Sequence, residues 1–192
     1  MLAHYSRQQD NKTKMPININ RILICILVTL IFVYIRYYYT YPSYESVMVN
    51  QTNIVNFDFN QLLEKHPLVI HDQIVDARDL CNSWFKWNRC RTLPITELLN
   101  QPWLRNRYKY LLVHASNTYG GDVDAETEVF MAHPHHPMLG GEPAEESEHT
   151  LIGVQLKAHS VLIVPIHWNV HFPDPDKVTI IGVHDLLTWI LP

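Results

Sequence analysis

Between Arg21 and Arg36 the chain runs for fourteen residues, ILICILVTLIFVYI, in which only Thr29 is not strongly apolar. A helix that is apolar on every side must be covered by protein or by lipid, so this run constrains the chain more than any other feature. At 1.5 Å per residue it gives about 21 Å, short of the ~30 Å hydrocarbon core of a bilayer. Ile17 and Ile19 extend it upstream, Tyr34, Tyr37, Tyr38 and Tyr39 supply an interfacial aromatic belt, and both arginines can snorkel. A buried core helix would show a polar face. A cleavable signal would end in small residues, whereas residues 36–41 read RYYYTY. The expectation is an uncleaved transmembrane helix over residues 21–39, with the lipid bilayer as its partner.

Flanking charge gives a direction. Arg7, Lys12, Lys14 and Arg21 precede the run against Asp10 alone, while Arg36 and then Glu45 follow it. The positive-inside rule leaves residues 1–20 as a cytoplasmic tail and the larger C-terminal part luminal or extracellular, a type II single-pass arrangement. On that side Asn50-Gln51-Thr52 is a glycosylation acceptor. Cys81 and Cys90 either pair there across an eight-residue loop or remain two buried thiols, and Cys25 lies within the apolar run. Net charge is −4 with no evident basic face, which argues against nucleic acid and leaves a protein as the expected soluble partner.

Residues 40–56 read as a juxtamembrane stalk and residues 57–192 as the folded domain. Short helices are expected over 59–65, 76–87 and 94–100, the last with Pro94 in its first turn. Apolar and β-branched runs predict strands at 68–70, 107–115, 128–132, 151–156, 160–165 and 178–183. Residues 117–124 are turn chemistry, residues 133–147 form a Pro- and Gly-punctuated acidic loop, and residues 186–191 fit either a strand or a helical turn. Helices first and many short strands after them predict a mainly β sandwich or barrel with an N-terminal helical layer.

HPLVIHDQI at 66–74, the tryptophan-bearing segment 80–87 and VLIVPIHW at 161–168 resemble the cupin-like domain related to JmjC proteins. The likeness spans roughly residues 57–191. It implies a cupin-like jelly roll, a double-stranded β-helix around a ligand pocket. Active members hold Fe(II) there through a His-x-Asp/Glu pair and a distant His, with 2-oxoglutarate as co-substrate. This chain departs from that pattern. Laying VPIHWNVHF on the family's closing motif puts Val170 at the ligand position, and His171 reaches the pocket only if a bulge restores its direction. No His-x-Asp or His-x-Glu occurs, although His133-Pro134-His135 offers the His-x-His that other cupins use.

A metal site would combine His133, His135 and His171, with Glu142 as a possible fourth ligand. The alternative is a set of exposed loop histidines beside an acidic stretch. Trp168 is either a stacking wall of a pocket or a core tryptophan with His167 at the rim. Arg105 and Arg107 either bind a carboxylate or decorate a helix-to-strand junction. His71 and Asp72 face opposite ways on a strand, and Asp122 and Asp124 sit beside Gly120-Gly121 in a turn. The expectation is a membrane-displayed, non-catalytic cupin-like binding or structural domain without a cofactor. The alternatives are a membrane-anchored Fe(II)/2-oxoglutarate oxygenase with non-standard ligands, and a luminal sugar-binding or sugar-modifying protein stacking its ligand on Trp103 or Trp168.

Overall fold

A computed structural model describes residues 19–40, 48–72, 77–99, 101–115, 126–139, 142–143 and 151–190. The chain divides into two units, Met1–Thr40 and Tyr41–Pro192. The first contains α1, Ile19–Tyr39, whose 21 residues make it long and apolar enough to cross a membrane. At 1.5 Å per residue it spans about 31 Å, because the helix takes in Ile19 and the tyrosines on either side of the apolar run. None of its residues is buried. The only short polar side chain in its apolar run, Thr29, returns its hydroxyl proton to the carbonyl of Cys25 at 2.8 Å.

The second unit is mainly β. In chain order it holds β1 (Asn50–Asn53), β2 (Leu68–His71), α2 (Ala77–Trp84), β3 (Arg89–Thr92), α3 (Ile95–Leu99), β4 (Leu104–Arg105), β5 (Tyr110–Ala115) and β6 (Thr127–Ala132). There follow β7 (Met138–Leu139), β8 (Glu142–Pro143), β9 (Leu151–Leu156), β10 (Val161–Pro165), β11 (Asn169–His171), β12 (Val178–His184) and α4 (Leu186–Ile190). One sheet has the order β1-β2-β10-β5-β12-β3 and the other β4-β11-β6-β9, while β7 and β8 form a hairpin. β1 pairs parallel to β2, residue for residue from Asn50 and Leu68 to Asn53 and His71. The sheet therefore begins inside the stretch that composition assigns to a stalk.

Two apolar layers explain the strand sequences. Val69, Leu111, Val113, Leu162, Val164 and Ile180 from the larger sheet meet Val129, Met131, Leu156 and Val170 from the smaller one, with Trp168 among them. On the other face of the larger sheet Leu68, Ile70, Leu112, Ile163, Ile181 and Val183 pack beneath Leu80, Cys81 and Phe85 of the α2 segment. A sheet covered on both faces needs apolar residues at every position, and VLIVP in β10 is buried throughout. The smaller sheet is covered on one face only. In β6 Val129 and Met131 are accordingly buried, while Glu128 is exposed and Phe130 half-buried.

α4 settles the segment left open between strand and helix. Asp185 caps it, accepting from the Thr188 amide at 3.0 Å, while the Thr188 hydroxyl accepts from the Asp185 amide at 2.9 Å.

Candidate functional site

The three histidines proposed as ligands end up apart in direction. β11 pairs with β6 residue for residue, Asn169 with Ala132, Val170 with Met131 and His171 with Phe130. With that register Val170 and Met131 face the core between the sheets, and His171 faces outward between Trp103 and Phe130. Its Nδ1–H donates to the Pro102 carbonyl. His133 is fully buried against Trp168, ring centroids 5.4 Å apart, and its Nδ1 accepts the His135 amide at 3.2 Å. The His135 ring is exposed 5.4 Å from that of His133. Glu142 lies in β8, with its side chain outside the described atoms. Among the described residues no group of three or more His, Cys, Asp or Glu is placed to hold a metal ion.

What the β4–β5 and β10–β11 connections do hold is a polar clamp that sequence inspection passes over. Asn106 is fully buried, and its Nδ2 donates to the carbonyls of Val164 and Pro165 at 3.0 and 2.9 Å. Its Oδ1 accepts the Tyr108 amide at 2.9 Å. Its own amide donates to the Trp168 carbonyl, and its carbonyl accepts the His167 amide, both at 2.8 Å. The indole of Trp168 is equally enclosed, and Nε1–H donates to the Lys65 carbonyl at 3.2 Å. Lys65 and His167 both have positive φ, 57° and 72°.

His167 links this clamp to pH. Burial, reinforced by the charges of Arg105 and Lys65, pulls its imidazole from 6.5 down to about 4. The unfolded chain therefore binds a proton that the folded chain refuses, and stability falls as pH drops from about 6.5 toward 4. With allowance for the partial exposure of the ring, about 2 kcal/mol should be lost across that window. His167→Asn keeps a residue that tolerates positive φ and removes the titration. Thermal melts between pH 7 and pH 4.5 should show a shallower acid slope in this variant. An unchanged slope would show that His167 is not held neutral by its surroundings.

A cleft of about 420 Å³ opens where the inter-sheet face of β12 passes beyond the core. Val178 and Ile180 belong to the apolar layer, and Gly182 and His184 continue the same face. Gly182 leaves its place to the ring of Tyr108, since a Cβ there would lie 2.3 Å from Cδ1 of that ring. The Tyr108 ring also contacts His184, centroids 4.5 Å apart. Arg91 stands opposite Gly182 in the β3–β12 pairing, and Arg105 and Arg107 enter from the other side of the cleft. Leu93 and Leu104 supply its apolar wall. Arg91 is ion-paired to Glu97 at 2.6 Å, whereas Arg105 and Arg107 make no ion pair with any described residue. Burial raises the Tyr108 phenol, opposed by Arg91 and Arg107 and aided by Glu97, so it remains a neutral donor.

The remaining residues singled out from the sequence are dispersed. Cys81 is buried and Cys90 exposed, both are free thiols, and both line a cavity of about 260 Å³ between α2 and β3. Burial and the Cys90 thiol, which is within hydrogen-bonding reach, push the Cys81 thiol up. His71 Nδ1 meets the Ser160 hydroxyl at 3.1 Å, and Asp72 turns away with φ of 60°. Asn50 sits on edge strand β1 and donates to Glu64 at 3.0 Å. Trp103 is half-buried beside His171. Asp122 and Asp124 lie outside the described residues. Comparison with protein-family models and with curated proteins gives no match to this chain.

Proposed function

We propose that this chain is a single-pass membrane protein whose cupin-like jelly roll is a non-catalytic binding module, with a cytoplasmic N-terminus and a luminal or extracellular domain. The fold reading rests on strand order. β3, β4, β5 and β6 alternate between the two sheets, as do β9, β10, β11 and β12, which leaves β10-β5-β12-β3 facing β4-β11-β6-β9. That alternation is the winding expected of a double-stranded β-helix. The observation carrying the non-catalytic reading is the content of the space between the sheets. Trp168, Met131 and Val170 fill it, all 0% exposed, while His171 points out of it. The polar, open ground lies instead at the cleft around Tyr108.

Metal analysis of the full chain, purified in non-ionic detergent without a histidine tag, tests the non-catalytic reading. The expected result is substoichiometric iron and zinc. Near-stoichiometric metal that is lost in His133→Ala would overturn it in favour of the oxygenase. Membrane placement has its own test. The full chain should stay with membranes in a carbonate wash, and a deletion of residues 19–39 should leave it in the supernatant.

Orientation is read from the cysteines. In an oxidising lumen the Cys81 and Cys90 thiols together lose two protons and two electrons to a disulfide-donating oxidant of that compartment, forming one S–S bond. After denaturation without reductant, alkylation should then label Cys25 alone among the three cysteines. Labelling of all three would rule out the Cys81–Cys90 pairing and remove this support for a luminal domain.

A further inference from the structure

We propose that the cleft framed by Arg91, Arg105, Arg107, Tyr108 and His184 binds a small oxyanion, the phosphate or carboxylate group of a soluble metabolite. This rests on the binding-module reading and names the ligand class of that module. The chain is acidic overall, with 19 Asp and Glu against 15 Lys and Arg, yet three arginines line this one concavity, with Glu97 as the single carboxylate among the described residues lining it. Glu97 is engaged by Arg91. Arg105 and Arg107 stand on either side of Asn106, whose clamp fixes the backbone between them.

A planar guanidinium offers paired N–H donors that match two oxygens of a phosphate or carboxylate, and two such forks on a fixed turn make a directional anion trap. Tyr108, whose phenol stays neutral, lines the same cleft. His184 spends its Nδ1–H on the Thr188 carbonyl at 3.2 Å, which fixes its ring as one wall of the cleft. Leu93 and Leu104 exclude water from one wall, which strengthens each charge contact. A volume of about 420 Å³ suits a compact metabolite and excludes a folded partner.

The test is equilibrium binding of inorganic phosphate, and separately of succinate, to the full chain in non-ionic detergent. Ionic strength is held constant with chloride. Saturable binding of at least one anion is expected, weakened about tenfold or more in Arg105→Gln/Arg107→Gln. Arg105→Lys/Arg107→Lys, which keeps charge without the fork, should fall between the two. Binding of phosphate alone points to a phosphorylated metabolite, and of succinate alone to a carboxylate. The proposal is overturned if neither anion saturates, or if a folded double variant of either kind binds as the unchanged chain does. A chain that stays in the membrane and free of metal but binds neither anion sinks this inference and leaves the module reading standing. Stoichiometric metal lost in His133→Ala sinks the module reading itself, whatever the anions do.

Discussion

Trp168→Ala should cost about 4 kcal/mol, a large share of a whole-domain stability of only about 5–15 kcal/mol. The indole is 0% exposed in the layer between the sheets, with Met131, Val164 and Val170 in the same cluster and the His133 ring against its edge. Truncation opens a cavity that two sheets with fixed pairing cannot close, and it also leaves the Lys65 carbonyl without the indole donor. Trp168→Phe restores most of the ring and forfeits that hydrogen bond, so it should cost about 1–2 kcal/mol. Urea titrations of the full chain in detergent, followed by far-ultraviolet circular dichroism, give both values. Equal costs for the two variants would mean that the hydrogen bond, not the packing, is what the position requires.

Asn106→Asp should be nearly as damaging, at about 3–4 kcal/mol at pH 7, although it changes one side-chain group without changing size. The substitution replaces an amide that donates to the Val164 and Pro165 carbonyls with an oxygen that faces them at about the same separation. A buried carboxylate would stand among acceptors, and the group can relieve this only by keeping its proton at a cost that grows with pH. Sign follows directly. The folded-state pKa is raised, so the penalty is smallest in acid and increases as pH rises. Asn106→Ala removes the donor without adding charge and should show no such dependence. A loss under 1 kcal/mol for both would mean that the two connections do not depend on this clamp.

Much of this arrangement is legible in the residues, and the exceptions have physical reasons. The charge-free run before Arg36 marks α1 because no polar face breaks it. Buried, mostly apolar runs mark β2, β10 and β12 because a sheet covered on both faces leaves few positions for polar residues. β1 and β3 escape notice for the converse reason. NQTN and RCRT are edge strands without apolar alternation, held mainly by backbone bonds to a partner that comes later in the chain. The helix expected over 76–87 stops at Trp84, and Trp87 is 99% exposed, because chain reversal into β3 overrides the helical stripe.

The site was less readable than the fold. Histidines are conspicuous in a sequence, and they drew attention to residues 133, 135 and 171, which register then points in different directions. Asn106 carries little local signal, since the carbonyls its Nδ2 bonds lie more than fifty positions downstream. Arg105 and Arg107 do carry one, a pair of guanidiniums two residues apart. It acquires meaning only when β3 and β12 bring Arg91 and His184 to the same cleft.

β1 has a mechanical consequence. Its four residues are the first element of the second unit among the described residues, so tension applied to the chain N-terminal to it enters that element at Asn50. A pull along the strand axis loads all four parallel pairings with β2 at once, in shear, whereas a pull across it opens them one at a time from the Asn50 end. Because β1 is a polar edge strand, its detachment bares the flank of β2 while the layers on either side of the larger sheet stay closed. Under traction from that side β1 would thus peel away before the layers of the larger sheet opened.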